Sequence, residues 1–311
     1  MNKLCNICPR MCNINRDTSL GFCKCDSSPV ISKVMLHHFE EPPISGTRGS
    51  GTIFFGSCTL KCVYCQNFNI STECTGKKIS VEALASIFKQ LESAGAHNIN
   101  LVTPTHFTKQ IIDALKIYRP HIPIVWNTSG FERAETIETL KDYVDVFLTD
   151  LKYFSNKLSS KFSLAPNYFH ECSKAIIQMR KNLPQDVFQN GIMQKGVIIR
   201  HLCLPNQTKD SEKIIDWIYK NLGNKTYISL MSQYTPMGNA AKYPELKRKL
   251  KPVEYKILCN KLNKLGFENV FLQDMSSASE EYTPDFNDNN TDFTYWFIWF
   301  FLEFLEIIFW F

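Results

Sequence analysis

From about residue 51 to residue 286 the chain alternates short apolar runs with segments whose apolar residues recur every three or four positions. The apolar runs at 51–56 (GTIFFG), 98–103 (NINLVT), 123–127 (PIVWN), 144–150 (VDVFLTD), 196–202 (GVIIRHL) and Tyr227–Met231 (YISLM) read as strands. Helices are predicted at 80–94, 107–118, 133–141, 168–181, 211–221 and 253–265. In the first helix Ser80 is the expected N-cap, Leu84, Ile87, Phe88 and Leu91 share one face, and Gly95 is the stop. Residues 271–273 add a final strand candidate. Parallel neighbours need a crossover helix, so six strands alternating with helices predict an α/β fold on a parallel sheet. Closed or partly closed, the sheet would be a (β/α)6-type barrel; open, it would be doubly wound. In both cases the working face lies at the carboxyl ends of the strands.

Outside that region the pattern changes. Residues 1–27 are rich in cysteine with little apolar periodicity, and 28–50 read as a linker. Residues 287–311 start polar and end as an aromatic run. The expected organisation is a Cys-rich segment and linker over 1–50, a core over 51–286 and an atypical tail over 287–311. A length of 311 residues suffices for one large α/β core. The net charge of +5 comes without a basic block, so no nucleic-acid partner is expected. Nine of the twelve cysteines fall in the first 74 residues, which is not the even spread of a disulfide scaffold. The opening MNKLCNICPRMC has no apolar signal region, so a cytoplasmic, reducing location is expected, with cysteines serving metals or catalysis.

Cys58, Cys62 and Cys65 follow the first strand as C-x3-C-x2-C. Three thiolates on such a loop can each hold one iron of a cubane and leave the fourth open. An open coordination position is what a metal centre needs in order to bind and activate something else. A zinc knuckle completed by Cys74 or a histidine is the alternative. The N-terminal Cys5, Cys8, Cys12 and Cys23 form a second metal-like set, with Cys25 two residues beyond. They fit zinc, an auxiliary iron–sulfur cluster, or unligated thiols. A metal there would help fold a segment too polar to build its own core. Cys74, Cys172, Cys203 and Cys259 read as packing residues, with Cys203 near enough to a strand end to face a pocket. His37 and His38 read as packing or surface residues.

The triad, with Tyr64 before its last cysteine, resembles the radical S-adenosylmethionine (SAM) superfamily. HHFEEPPISGTRGSGTIFFGSC (37–58), YCQNFNIS (64–71), GAHNINLVTPTH (95–106), WNTSGFE (126–132), RHLCLPNQTKDS (200–211) and SLMSQYTP (229–236) are similar to PflX-type relatives of pyruvate formate-lyase activating enzyme. The resemblance covers about residues 4–286 and implies a partial (β/α)6 TIM-like barrel. It implies a [4Fe–4S] cluster on Cys58, Cys62 and Cys65 and SAM chelated to the open iron. Reductive cleavage of SAM to a 5′-deoxyadenosyl radical would follow. It further implies an electron donor of flavodoxin or ferredoxin type and a glycyl-radical enzyme as the protein activated. A different protein or small-molecule substrate, or a non-catalytic iron–sulfur or zinc protein, are the competing readings.

By the same resemblance Tyr64 lies near the adenine, and Thr103 with Thr105 stands where many members hold the methionine amine with Gly-Gly-Glu. Asn127, Thr128 and Ser129 correspond to an Asp-Thr-Asn run, and Asp150 with Lys152 to Asp-x-Lys. Strand alternation puts Asp150 and Lys152 on one face and separates Arg200 from His201. Arg200 is matched to the SAM carboxylate, and His201 is expected to pack or cap. Ser232, Gln233 and Tyr234 are placed near substrate. The aromatic stretch 293–311 approaches the roughly 20 apolar residues of a membrane span. Glu303 and Glu306 count against it by about 2–3 kcal/mol each. A non-native extension, an anchor and a buried final helix are the readings left open for the tail.

Overall fold

The computed structural model describes residues 4–278 and residue 286. Chain order begins with β1 (Val30–His37), which turns through the short α1 (Pro42–Ser45) into β2 (Ser50–Phe55). The triad loop follows, then α2 (Phe68–Ser71) and the two-residue β3 (Lys77–Lys78). Regular alternation starts with α3 (Val81–Ser93), β4 (Ile99–Val102), α4 (Thr108–Ile117), β5 (Ile124–Thr128), α5 (Ala134–Glu138) and β6 (Val146–Asp150). It continues with α6 (Asn156–Ser163), α7 (Tyr168–Asn182), β7 (Val187–Gln189), β8 (Ile192–Leu202), α8 (Thr208–Leu222), β9 (Tyr227–Met231), α9 (Pro252–Lys264) and β10 (Val270–Leu272).

One sheet carries the strands in the order β10-β9-β8-β6-β5-β4-β2-β1-β3, with β7 paired to β8 off that path. From β2 through β10 the neighbours along that path are parallel; β1 runs antiparallel to β2 and β3 to β1. The mostly parallel α/β sheet is the fold the periodicity predicts. The expected cap is present: the Ser80 hydroxyl accepts from the Ala83 amide at 3.2 Å.

Some elements differ from expectation. The stretch read as a linker contributes β1 and α1, because VISKVMLH buries Val30 and Ile31 against β2 despite its flanking Pro and Gly residues. The polar sequence NKLSSKFS forms α6, whose start is capped by Ser155. The tail 287–311 lies outside the described residues. Among the described residues no helix is long and apolar enough to cross a membrane.

Alternation divides each strand between two faces. Ile53, Leu101, Trp126, Phe147, Ile199 and Leu230 point outward under the helices and are completely or almost completely buried. Each such side chain contributes roughly 1.5–3 kcal/mol by leaving water. The inner face is concave. Arg200 on β8 reaches Asn127 on β5 at 2.7 Å although β6 lies between their strands. Its amino-terminal end is closed by an apolar plug in which Ile44 of α1 packs with Val125, Val146, Leu148 and Ile198. The plug leaves polar residues to line the carboxyl-terminal half.

Candidate functional site

β2 ends at the triad. Ser57 adopts φ +70°, and its amide donates to the Ile70 carbonyl at 2.7 Å, which fixes the loop's exit from the sheet. Cys58, Cys62 and Cys65 are all partly buried. The Cys58 sulfur accepts from the Leu60 amide at 3.4 Å, and the Cys62 sulfur accepts from the Ser163 hydroxyl at 3.0 Å. Val63 donates to the Phe162 carbonyl at 2.9 Å, so the carboxyl end of α6 holds the loop. Behind it, Tyr64 and Tyr153 hydroxyls share a bond of 2.6 Å, and Tyr153 meets Ser163 at 2.7 Å. A continuous buried chain thus runs from Tyr64 to the Cys62 sulfur. The ring of Tyr64 meets that of Tyr234 edge-on, with centroids 5.8 Å apart.

These thiols are suited to iron. Burial pushes Cys58 up to about 12 and Cys62 up to about 11, with Lys152 opposing the shift at Cys62. A bound cation offsets that cost of ionisation, and N–H and O–H donors to sulfur are the contacts that tune a cluster. Among the described residues no three His, Cys, Asp or Glu side chains converge on a single ion. A cubane does not ask for that convergence, because each thiolate takes a different iron.

Inside the sheet a charged network spans four elements. Arg200 donates through Nε to Asp150 at 2.8 Å, through Nη1 to Glu40 at 3.1 Å and through Nη2 to Asn127 at 2.7 Å. N–H groups on both terminal nitrogens remain for a further acceptor. Glu40 also accepts from Asn100 and Asn127, each at 3.0 Å. Lys152 donates to Asp150 at 2.5 Å. Burial alone would raise Asp150, but Arg200 and Lys152 outweigh it and hold the carboxyl below its ordinary value. Burial would lower Lys152, and Asp150 outweighs it. Glu41 is pushed up by burial, against the pull of Arg200, and its Oε2 has no hydrogen-bond partner.

The structure brings Asn127, Asp150, Lys152 and Arg200 together beside the triad loop. Thr103 stands at the end of β4 with φ +59°, its amide bonded to the Asn127 carbonyl at 2.9 Å. Ser129 lies at the adjoining strand end, its carbonyl accepting from the Tyr168 hydroxyl at 2.7 Å. Gly130, at φ +77°, is needed there, since a Cβ would stand 2.1 Å from the Asp150 carbonyl oxygen.

Thr128 requires a correction. It is on the outer face, opposite Asn127, and donates to Glu132 at 2.6 Å. Thr105 donates to the same Glu132 oxygen at 2.6 Å and Trp126 at 3.2 Å, so neither threonine hydroxyl is turned to the inner face. His201 likewise points outward, between the Leu151 carbonyl and Ser211. Cys203 is buried in the outer core. Gln233 reaches Gln66, next to Cys65, at 3.3 Å, which sets the loop after β9 against the triad. Cys25 and Cys74 also require a correction: they form a disulfide.

Glu40, Glu41, Tyr153 and Ser163 are the site residues that sequence reasoning missed. The two adjacent carboxylates before Pro42-Pro43 fall in the stretch read as a linker, and no role is assigned to them from the sequence. Only β1 and α1, which turn that stretch inward, make them part of the site.

A family model described as the Radical SAM superfamily matches residues 52–218. An uncharacterized protein of Methanocaldococcus jannaschii is 35% identical over 257 residues, covering 80% of this chain and 71% of that one. Streptococcus suis SuiB bound to S-adenosylmethionine aligns with a TM-score of 0.47 and 14% identity, over 72% of this chain and 50% of SuiB. SuiB bound to its precursor peptide SuiA aligns equally, over 49% of its length. The chain therefore spans about half the length of those solved structures.

Proposed function

The chain belongs to the radical SAM superfamily, and from that premise we propose that it cleaves SAM reductively at a [4Fe–4S] cluster held by Cys58, Cys62 and Cys65. When bound, the cluster and SAM together supply a 5′-deoxyadenosyl radical that abstracts hydrogen from a substrate. The single observation that carries the reading is the half-buried triad at the end of β2, with hydrogen-bonded sulfurs, opening beside the charged inner face.

The chain's own residues have separable tasks. Ser163 and the Leu60 amide orient two cluster sulfurs. Arg200 offers its remaining N–H groups to a carboxylate, and Asp150 with Glu40 fixes the guanidinium so that it cannot swing. Asn127 braces Arg200 and Glu40 at once. Tyr64, Tyr153 and Tyr234 keep water from the back of the loop. Thr103 and Ser129, at the neighbouring strand ends, are the polar groups we assign to SAM alongside Asn127. The expected reductant is a one-electron donor of flavodoxin or ferredoxin type.

We take the substrate to be the main-chain glycine of a glycyl-radical enzyme, on the likeness of residues 37–58, 95–106 and 200–211 to the activating enzymes. Anaerobic reconstitution with iron and sulfide tests the central reading. Electron paramagnetic resonance of the reduced protein is expected to change on adding SAM and to lose that response in C58A/C62A/C65A. A spectrum indifferent to SAM would refute it. A persistent glycine-centred signal on a co-incubated partner tests the substrate.

A further inference from the structure

We propose that Cys5, Cys8, Cys12 and Cys23 hold a second iron–sulfur cluster, seated on the triad loop, which passes electrons to the first. The relay rests on the reading of Cys58, Cys62 and Cys65 given above; the second metal site does not.

Residues 4–27 have scarcely any core of their own. Leu4, Met11 and Leu20 stand 53%, 42% and 62% exposed, so something other than apolar burial must hold the segment together. Its backbone folds around the thiols. Cys5 donates to the Ile14 carbonyl at 2.7 Å, Asn13 returns a bond to the Cys5 carbonyl at 2.9 Å, and Met11 donates to the Cys8 carbonyl at 3.1 Å. The return from Cys12 brings in the fourth thiol. A Cβ on Gly21 would lie 3.5 Å from the sulfurs of both Cys12 and Cys23. The Phe22 amide donates to the Cys12 sulfur at 3.3 Å, the kind of bond that cluster sulfurs accept.

The segment is docked on the residues flanking Cys58. The Ser57 hydroxyl donates to the Cys23 carbonyl. Arg10, between Cys8 and Cys12 in the chain, donates to the Thr59 carbonyl at 2.8 Å and to the Leu164 carbonyl at 2.5 Å. Its guanidinium also stacks on Phe22, between Cys12 and Cys23 in the chain, with Cζ 3.8 Å from the ring centroid. The Cys25–Cys74 disulfide ties the same segment to the chain beyond the triad. The two cysteine sets are therefore neighbours, separated by one arginine and a loop. Four thiolates on four different irons suit the arrangement.

The electron balance is simple. An external one-electron donor of the ferredoxin or flavodoxin class is oxidised, the second cluster is reduced by that electron, and it returns to its starting state on reducing the triad's cluster. No bond forms or breaks in the relay.

The test is iron, sulfide and zinc analysis with electron paramagnetic resonance of the reconstituted full chain. Three forms are compared: wild type, C58A/C62A/C65A and C5A/C8A/C12A/C23A. Two cubanes predict roughly eight irons per chain in the wild type and about four in each variant. The signal left in C58A/C62A/C65A should ignore SAM. That variant keeps every N-terminal cysteine, so the result does not depend on the quadruple variant folding. Iron at about four in wild type and none in C58A/C62A/C65A, or zinc retained there, would overturn the second cluster. With a protein donor, 5′-deoxyadenosine formation should fall at least about tenfold in C5A/C8A/C12A/C23A yet persist with dithionite. An unchanged donor-driven rate after loss of those irons would overturn the relay. About eight irons with no response to SAM would refute the cleavage reading and leave the second cluster standing.

Discussion

Replacing Arg200 with methionine removes the cation that neutralises the inner face while keeping most of its apolar stem. Arg200, Asp150 and Glu40 are only 14%, 11% and 10% exposed, so the charges left behind stay out of water. Breaking a buried pair from one side costs about 3–5 kcal/mol. Lys152 remains on Asp150 at 2.5 Å, so the uncompensated charge falls mainly on Glu40, and the lower part of that range, roughly 3 kcal/mol, is expected. Glu40→Gln alone leaves Arg200 its bonds to Asp150 and Asn127 and should cost about 1–2 kcal/mol. In the double variant the losses should overlap by at least about 1 kcal/mol, since the two groups share a 3.1 Å contact. Urea unfolding of the metal-free protein under reducing conditions at pH 7, followed by tryptophan fluorescence, measures all three. Asp150 is held below its ordinary 3.8, so its ionised form stabilises the fold above that pH, and the contribution fades as pH falls through the lower folded value. The gap between Arg200→Met and wild type should therefore narrow below pH 3.8. A cost under about 1 kcal/mol, or additivity within about 0.5 kcal/mol, would refute the account of the network.

Other outcomes follow from single contacts. Thr128→Val should cost about 1–3 kcal/mol, because buried Glu132 loses a donor, while SAM affinity by calorimetry stays within about twofold. Asn127→Ala, on the inner face, should weaken SAM by about tenfold in the same assay. Ser163→Ala removes the hydroxyl bond to the Cys62 sulfur and should lower the cluster's midpoint potential in a redox titration. Ile44→Ala should cost about 2–5 kcal/mol in unfolding experiments by opening the apolar plug, with SAM affinity unchanged. Glu254 caps α9 and is held at about 2 by its bonds to Arg248. Glu254→Gln should cost about 1 kcal/mol at pH 7, a difference that disappears in thermal melts as pH falls from 4.5 toward 2.

Periodicity was enough to find the parallel strands, because each is a short stretch rich in apolar residues between helical segments. It was enough to separate Arg200 from His201 as well, since successive side chains of a strand point to opposite faces. The same rule applied to β5 would have put Thr128 opposite Asn127, and the likeness of NTSG to a family motif obscured it. β1 escaped because its strand is bracketed by Pro29 and by Pro42-Pro43, and with it went Glu40 and Glu41. Their role exists only once α1 turns them onto Asn100, Asn127 and Arg200, which come from distant parts of the chain. Cys25 and Cys74 are 49 residues apart, and no spacing rule pairs them. Cys58, Cys62 and Cys65 were legible because local spacing alone sets their geometry.

Formation of 5′-deoxyadenosine from SAM by the anaerobically reconstituted, dithionite-reduced protein tests the central claim most directly. The account predicts product from the wild type and none above background from C58A/C62A/C65A. Iron bound at the triad with no 5′-deoxyadenosine formed, with or without a candidate substrate, would contradict it.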